Sequence, residues 1–67
     1  MNKIIDDKLS FEENINRVSK EFDIDKVELI RRVDKKQADL IWVNRFATLH
    51  IIVKELRIER GDFDNDK

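Results

Sequence analysis

The stretch A-D-L-I-W-V-N-R-F-A-T-L-H-I-I-V-K-E-L-R-I, from Ala38 to Ile58, holds the chain's single Trp and neither Gly nor Pro. It is far longer than an ordinary strand, so the period to test is that of a helix. At 100° per residue it shows two apolar faces rather than one. The wider gathers Ala38, Ile41, Trp42, Phe46, Leu49, Ile52, Val53 and Leu56. The narrower, opposite it, gathers Leu40, Val43, Ala47, Ile51 and Ile58. Asn44, Thr48, Glu55 and Glu59 form one polar stripe between them, and Asp39, His50, Lys54 and Arg57 the other. A surface helix of a monomer needs one apolar face. A second face asks for a second surface to pack against, which a copy of the chain or another protein can supply. A strand over Leu49–Ile58 is the weaker alternative. Its residues are rich in β-branched types, but Ile51-Ile52-Val53 and Lys54-Glu55 break the two-residue alternation.

Upstream, Ser10-Phe11-Glu12-Glu13 has the form of a capping box, which predicts a helix from Phe11. Phe11, Ile15, Val18 and Phe22 then draw one apolar stripe, with Asn14, Arg17, Lys20 and Glu21 on the wet side. Asp23-Ile24-Asp25 reads as a tight connection, and Asp25 as the cap of a second helix over 26–33. Val27, Ile30 and Val33 are expected to face inward, with Leu29 beside them. Asp34-Lys35-Lys36-Gln37 offers a further cap, so a break is expected at Asp34. With no Gly or Pro between Asp25 and Arg60, a continuous rod is the counter-reading. Gly61 is the C-cap of the long helix, and Arg57 and Arg60 suit its negative end. Met1–Leu9 is expected to be a flexible N-terminus, with Ile4, Ile5 and Leu9 able to touch the core. Residues 61–67 are expected to be an acidic disordered tail in which Phe63 could dock. Residues 10–60 make the single helical domain.

Sixty-seven residues sustain one small core, and a core of this size rarely supplies more than about 3–5 kcal/mol. There is no Cys, which removes disulfides and thiolate metal sites, and one His cannot make a His-based zinc site. Self-association is the support that remains. The expected fold is therefore all-α. Two short helices pack on a long C-terminal helix, whose second face makes a homodimer. No cofactor, metal or small-molecule substrate is expected. Met1–Leu9 lacks the apolar core of a signal peptide, and no apolar run is long enough to span a membrane, so a cytoplasmic protein with no membrane partner is expected.

Catalysis finds no footing in the sequence. There is no thiol nucleophile, no Gly-rich phosphate loop and no carboxylate pair in an apolar setting. The tail's D-x-D-x-D spacing lacks the glycine and distant glutamate of a calcium loop. His50 falls in a polar stripe, where a boundary position explains it.

Net charge is -1, yet the middle of the chain is basic: Lys26, Arg31, Arg32, Lys35 and Lys36 stand against Glu28 and Asp34. The run from Val18 to Leu29 has a small residue in its first helix (Ser19), an apolar turn residue (Ile24), a cap (Asp25) and an apolar residue in its second helix (Leu29). It resembles the helix-turn-helix of bacterial repressors, departing at the turn, where that family prefers Gly and this chain has Asp23. The resemblance implies that Lys26, Arg31, Arg32, Lys35 and Lys36 face DNA, on phosphates or guanine edges. A helical corner with a solvated basic face needs the same residue types and is the first expectation.

Arg45 is the charged residue between Trp42 and Phe46, expected either to snorkel or to meet a carboxylate. Filling the core is the first expectation for Trp42 and Phe46. Aromatics flanking an Arg are also the types enriched at protein–protein hot spots. The expected function is that of a small, non-enzymatic regulator that binds a protein. By analogy of size and composition, it is the kind that phages and mobile elements use against a host factor such as a repressor. Trp42, Arg45, Phe46 and the Leu40, Val43, Ala47, Ile51, Ile58 face are the candidates for partner binding or dimerisation. A DNA-binding regulator using residues 26–36, acting directly or through a DNA-bound partner, is the alternative. An assembly subunit is the third reading.

Overall fold

A computed structural model describes residues 4–61, and among them every regular element is helical. The acidic tail, with Phe63 and its aspartates, lies outside the described residues.

Helix α1 is Phe11–Phe22. Its capping box is complete: Ser10 Oγ accepts from the Glu13 amide and the Ser10 amide donates to Glu13 Oε1, both at 3.1 Å. It ends at Asp23, which takes the left-handed conformation at φ 53°. Asp reaches that region more readily than most non-glycine residues. Helix α2 is Lys26–Asp39, and the Asp25 carboxylate accepts from the amides of Val27 and Glu28. Helix α3 is Arg45–Arg60, closed by Gly61 at φ 87°.

The connection between α2 and α3 departs from both sequence expectations. The second helix does not stop at Asp34, nor does it run on as a rod. Leu40 ends it, its amide donating to the carbonyls of Lys36 and Gln37. The Val43 amide then donates to the Leu40 carbonyl at 2.9 Å, and Gln37 Nε2 donates to the Val43 carbonyl at 3.2 Å. Asn44 restarts the helix, its Oδ1 accepting from the Ala47 amide at 2.8 Å. Ile41, Trp42 and Val43 are weaker helix formers than their flanks, while Asn is among the best N-caps. Asp34 makes no cap, because it lies inside α2, and its carboxylate is 3.6 Å from Arg45.

That corner truncates the long apolar face. Leu49, Ile52, Val53 and Leu56 are buried as expected. Ala38 is exposed near the end of α2, and Ile41 and Trp42 stand out from the corner, so neither fills the core. Thr48, expected in a polar stripe, is buried, and its hydroxyl is satisfied by donating to the Asn44 carbonyl at 2.9 Å. The core comprises Ile5, Ile15, Val18, Leu29, Val33, Leu49, Ile52, Val53 and Leu56, with Phe11, Phe22, Ile30 and Phe46 packed around it. Val27 is 59% exposed rather than inward. It sits about 200° around α2 from Leu29, which with Val33 takes the inner face.

Polar contacts fix the helix directions. Arg32 and Lys36 of α2 reach Glu59 and Glu55 of α3 in reversed order, so these helices run antiparallel. Arg45 lies over Phe11, 4.3 Å from the ring centre, and Arg60 over Phe22, at 4.4 Å. These contacts tie both ends of α3 to the matching ends of α1, so the two run parallel. Phe11 also meets Phe46 edge-on, with ring centres 6.2 Å apart.

The segment before α1 was expected to fray, with Asn14 beneath it in water. Ile5, one of the three residues expected to be able to touch the core, is buried, and Asn14, expected on the wet side, has no exposed surface. Asn14 Oδ1 accepts from the Asp6 amide at 2.8 Å, and its Nδ2 donates to the carbonyls of Asp6 and Ser10, both at 3.0 Å. Arg17 Nε donates to the Ile4 carbonyl at 2.7 Å. One carboxamide thus replaces the water that this segment's backbone would otherwise need. Replacing Asn14 by Ala leaves those groups unpaired and should cost about 1–3 kcal/mol in urea unfolding. Asn16→Ala, two positions further along on the exposed side, should be near neutral.

Candidate binding surfaces

Two kinds of surface stand out: an apolar one at the α2–α3 corner and along α3, and a charged one on α2. At the corner, Ile41 is 84% exposed and Trp42 79%. Large apolar side chains normally lose more surface than this on folding. The hydrogen bonds of Leu40, Val43, Gln37 and Asn44 hold the backbone on either side of the pair, so the two side chains are displayed from a fixed frame.

Along α3, Ala47 and Ile51 are half-buried and Ile58 is 53% exposed. With half-buried Leu40 and Val43 they are absent from the apolar side chains packed around the core. The narrower face read from the sequence is therefore divided: Leu40 and Val43 belong to the corner, and Ala47, Ile51 and Ile58 lie together on α3. Arg45 and Phe46, grouped with Trp42 by sequence, part company with it. Phe46 turns inward to Phe11, and Arg45 is spent on the Phe11 ring and the Asp34 carboxylate. A carboxylate for Arg45 was expected, and it comes from α2 of the same chain.

The five basic candidates divide. Arg32 Nη2 is 2.7 Å from Glu59 Oε2 and 3.9 Å from Glu55, and Lys36 Nζ is 2.6 Å from Glu55. Lys26, Arg31 and Lys35 are exposed and have no carboxylate within 4 Å among the described residues. Arg31 and Lys35 share a groove of about 300 Å³ with Arg32, Lys36, Glu28, Asp39 and Glu55, floored by Ile52. The sequence reading did not find this groove. Its signal was the repeat Glu28, Arg32, Lys36 at four-residue spacing, which lines one edge of a helix. Its charges are mixed, so it is no uniform phosphate track. The α1–α2 corner does have its turn at Asp23, in the conformation the preferred Gly would take.

His50 is exposed on α3, and no cluster of metal-ligating side chains occurs among the described residues. No described helix is long and apolar enough to cross a membrane.

Hydrogen bonds from Arg32 hold the Glu59 carboxyl below the usual carboxylate range, and the same bonds raise Arg32. Because the folded value of Glu59 lies below its unfolded one, its contribution is present above the ordinary Glu range, near about 4.3, and fades as pH falls through the folded value. The stability difference between the native chain and Glu59→Gln should therefore shrink as chemical unfolding is repeated at progressively more acidic pH. A difference that persists unchanged in acid would show that the charge of Glu59 is not what matters.

Comparison with protein-family models, with curated proteins and with solved structures finds no match for this chain.

Proposed function

We propose that the chain is a small, non-enzymatic binding module that acts as a regulator by docking on another protein through Ile41 and Trp42. The observation that carries this reading is the exposure of the only Trp beside an equally exposed Ile on a hydrogen-bonded corner. Trp is enriched at binding hot spots, where it fills a partner's apolar pocket. A fixed backbone lowers the ordering cost of that contact. The charges support the same choice. Arg32 and Lys36 are engaged by α3, and Glu28, Asp34 and Asp39 are exposed on the helix that would otherwise offer cations to a polyanion.

DNA binding remains the second reading, favoured by Lys26, Arg31 and Lys35, which are exposed and have no carboxylate within 4 Å among the described residues. The two part company on salt and on mutation. Affinity capture from the source cells with nuclease present, followed by titration of the purified partner, measures both. Trp42→Ala should weaken a protein partner by about 2 kcal/mol or more, roughly 30-fold, with little loss of stability because the side chain is already in water. Arg31→Ala should change that affinity little. A ligand lost on nuclease treatment, bound steeply less tightly between about 50 and 200 mM salt and insensitive to Trp42→Ala, would replace this reading with the DNA one.

A further inference from the structure

Four cations of α2 surround one point on its surface. Arg31 and Lys35 form one row, and Arg32 and Lys36 form the next, about 100° further round the helix. All four line the groove of about 300 Å³ that α2 shares with Ile52 and Glu55 of α3. The two rows are not alike. Glu59 lies 2.7 Å from Arg32 and Glu55 2.6 Å from Lys36, so the inner row is drawn to α3 and held there. Arg31 and Lys35 are exposed and have no carboxylate within 4 Å among the described residues. The charge that the groove can offer a ligand is theirs.

Two acids close the groove along its length. Glu28 and Asp39 also line it, and around the helix both fall between the two rows of cations. Along the axis they stand about 8 Å to either side of the middle of the four cations. A single compact anion at that middle meets cations on both sides. Charge continued in either direction runs onto a carboxylate. A polyanion cannot avoid this, since duplex DNA carries one negative charge per about 1.7 Å of its axis. We propose that the groove binds one phosphate-type anion carried by a small soluble molecule, with Arg31 and Lys35 as its principal contacts. A tetrahedral group presents oxygens in several directions, so it accepts from the Arg31 guanidinium and the Lys35 ammonium together. A phosphate monoester also carries about −1.5 to −2 charges at pH 7, more than one carboxylate. The volume is at the lower end for small-molecule sites, enough for the phosphate and a short body. Neither Ile41 nor Trp42 lines the groove, so the proposal is independent of the protein partner.

Inorganic phosphate is the probe. Backbone amide resonances of the isotope-labelled full chain are followed as phosphate is added at constant ionic strength, with sodium chloride as reference. Residues 28–39 should shift along a saturable curve that chloride does not reproduce. Arg31→Ala and Lys35→Ala should each weaken binding about tenfold with helicity unchanged, since both side chains are exposed. Lys26→Ala, which removes an exposed cation outside the groove, should not weaken it. Glu28→Gln combined with Asp39→Asn should raise affinity for a short DNA duplex by removing the end charges. Shifts that chloride reproduces, or that Arg31→Ala and Lys35→Ala leave intact, overturn the site. An unchanged duplex affinity in the double variant overturns the limit to one anion. Retention on phosphatidic acid vesicles without any response to inorganic phosphate overturns the soluble ligand in favour of a lipid headgroup.

Discussion

The bond from the Ala47 amide to the Asn44 side chain governs the layout of the molecule. It starts α3 at Arg45, and a helix that starts there cannot be the continuation of α2. The chain instead turns through residues 40–44 and runs back antiparallel to α2. This reversal brings Leu49, Ile52, Val53 and Leu56 onto Leu29 and Val33, and it sets Arg45 over Phe11. It also ejects Ile41 and Trp42 from any helical register. The same local event thus closes the core and exposes the two side chains to which the binding role is assigned.

Around that frame, polar groups do the positioning and apolar groups supply most of the stabilisation. Among the described residues, burial of nine aliphatic side chains is the main favourable contribution, at about 1.5–3 kcal/mol each before the entropy of ordering is set against it. The α2–α3 ion pairs are partly exposed and add little individually. Their effect is to fix the register of α2 against α3. Asn14 acts similarly at the other end, where a single buried amide secures the segment before α1. Among the described residues no buried side-chain nitrogen or oxygen lacks a partner, as a small core requires.

Much of this was legible in local sequence. Ser10, Asp25 and Gly61 are helix-boundary residues acting where their types act best, and the stripe Ile15, Val18 and the run Leu49 to Leu56 follow helical period. What sequence reading misplaced depended on competition between alternatives. Asp34 and Asn44 are both cap residues, but α2 runs on through Asp34 and only Asn44 caps a helix. Trp42 was assigned to the core because its wheel position assumed an unbroken helix. Asn14 was misjudged because polarity does not reveal which segment will later cover it, and Val27 because it was grouped with Val33 although it lies on the far side of α2 from Leu29. On the surface, Ala47, Ile51 and Ile58 of the narrow face share α3 while Leu40 and Val43 do not, the exposed corner was not legible, and the separation of Arg32 and Lys36 from Arg31 and Lys35 needed the packing of α3.

The most direct test of this account is quenching of the single Trp by acrylamide in the dilute chain, native and then unfolded in urea. Exposure of Trp42 on the corner predicts a native quenching constant close to the unfolded one, with little change in emission maximum across the transition. A native Trp that is strongly protected and blue-shifted, moving to the red only on unfolding, would place it inside a continuous helix and contradict the corner from which the binding surface is built.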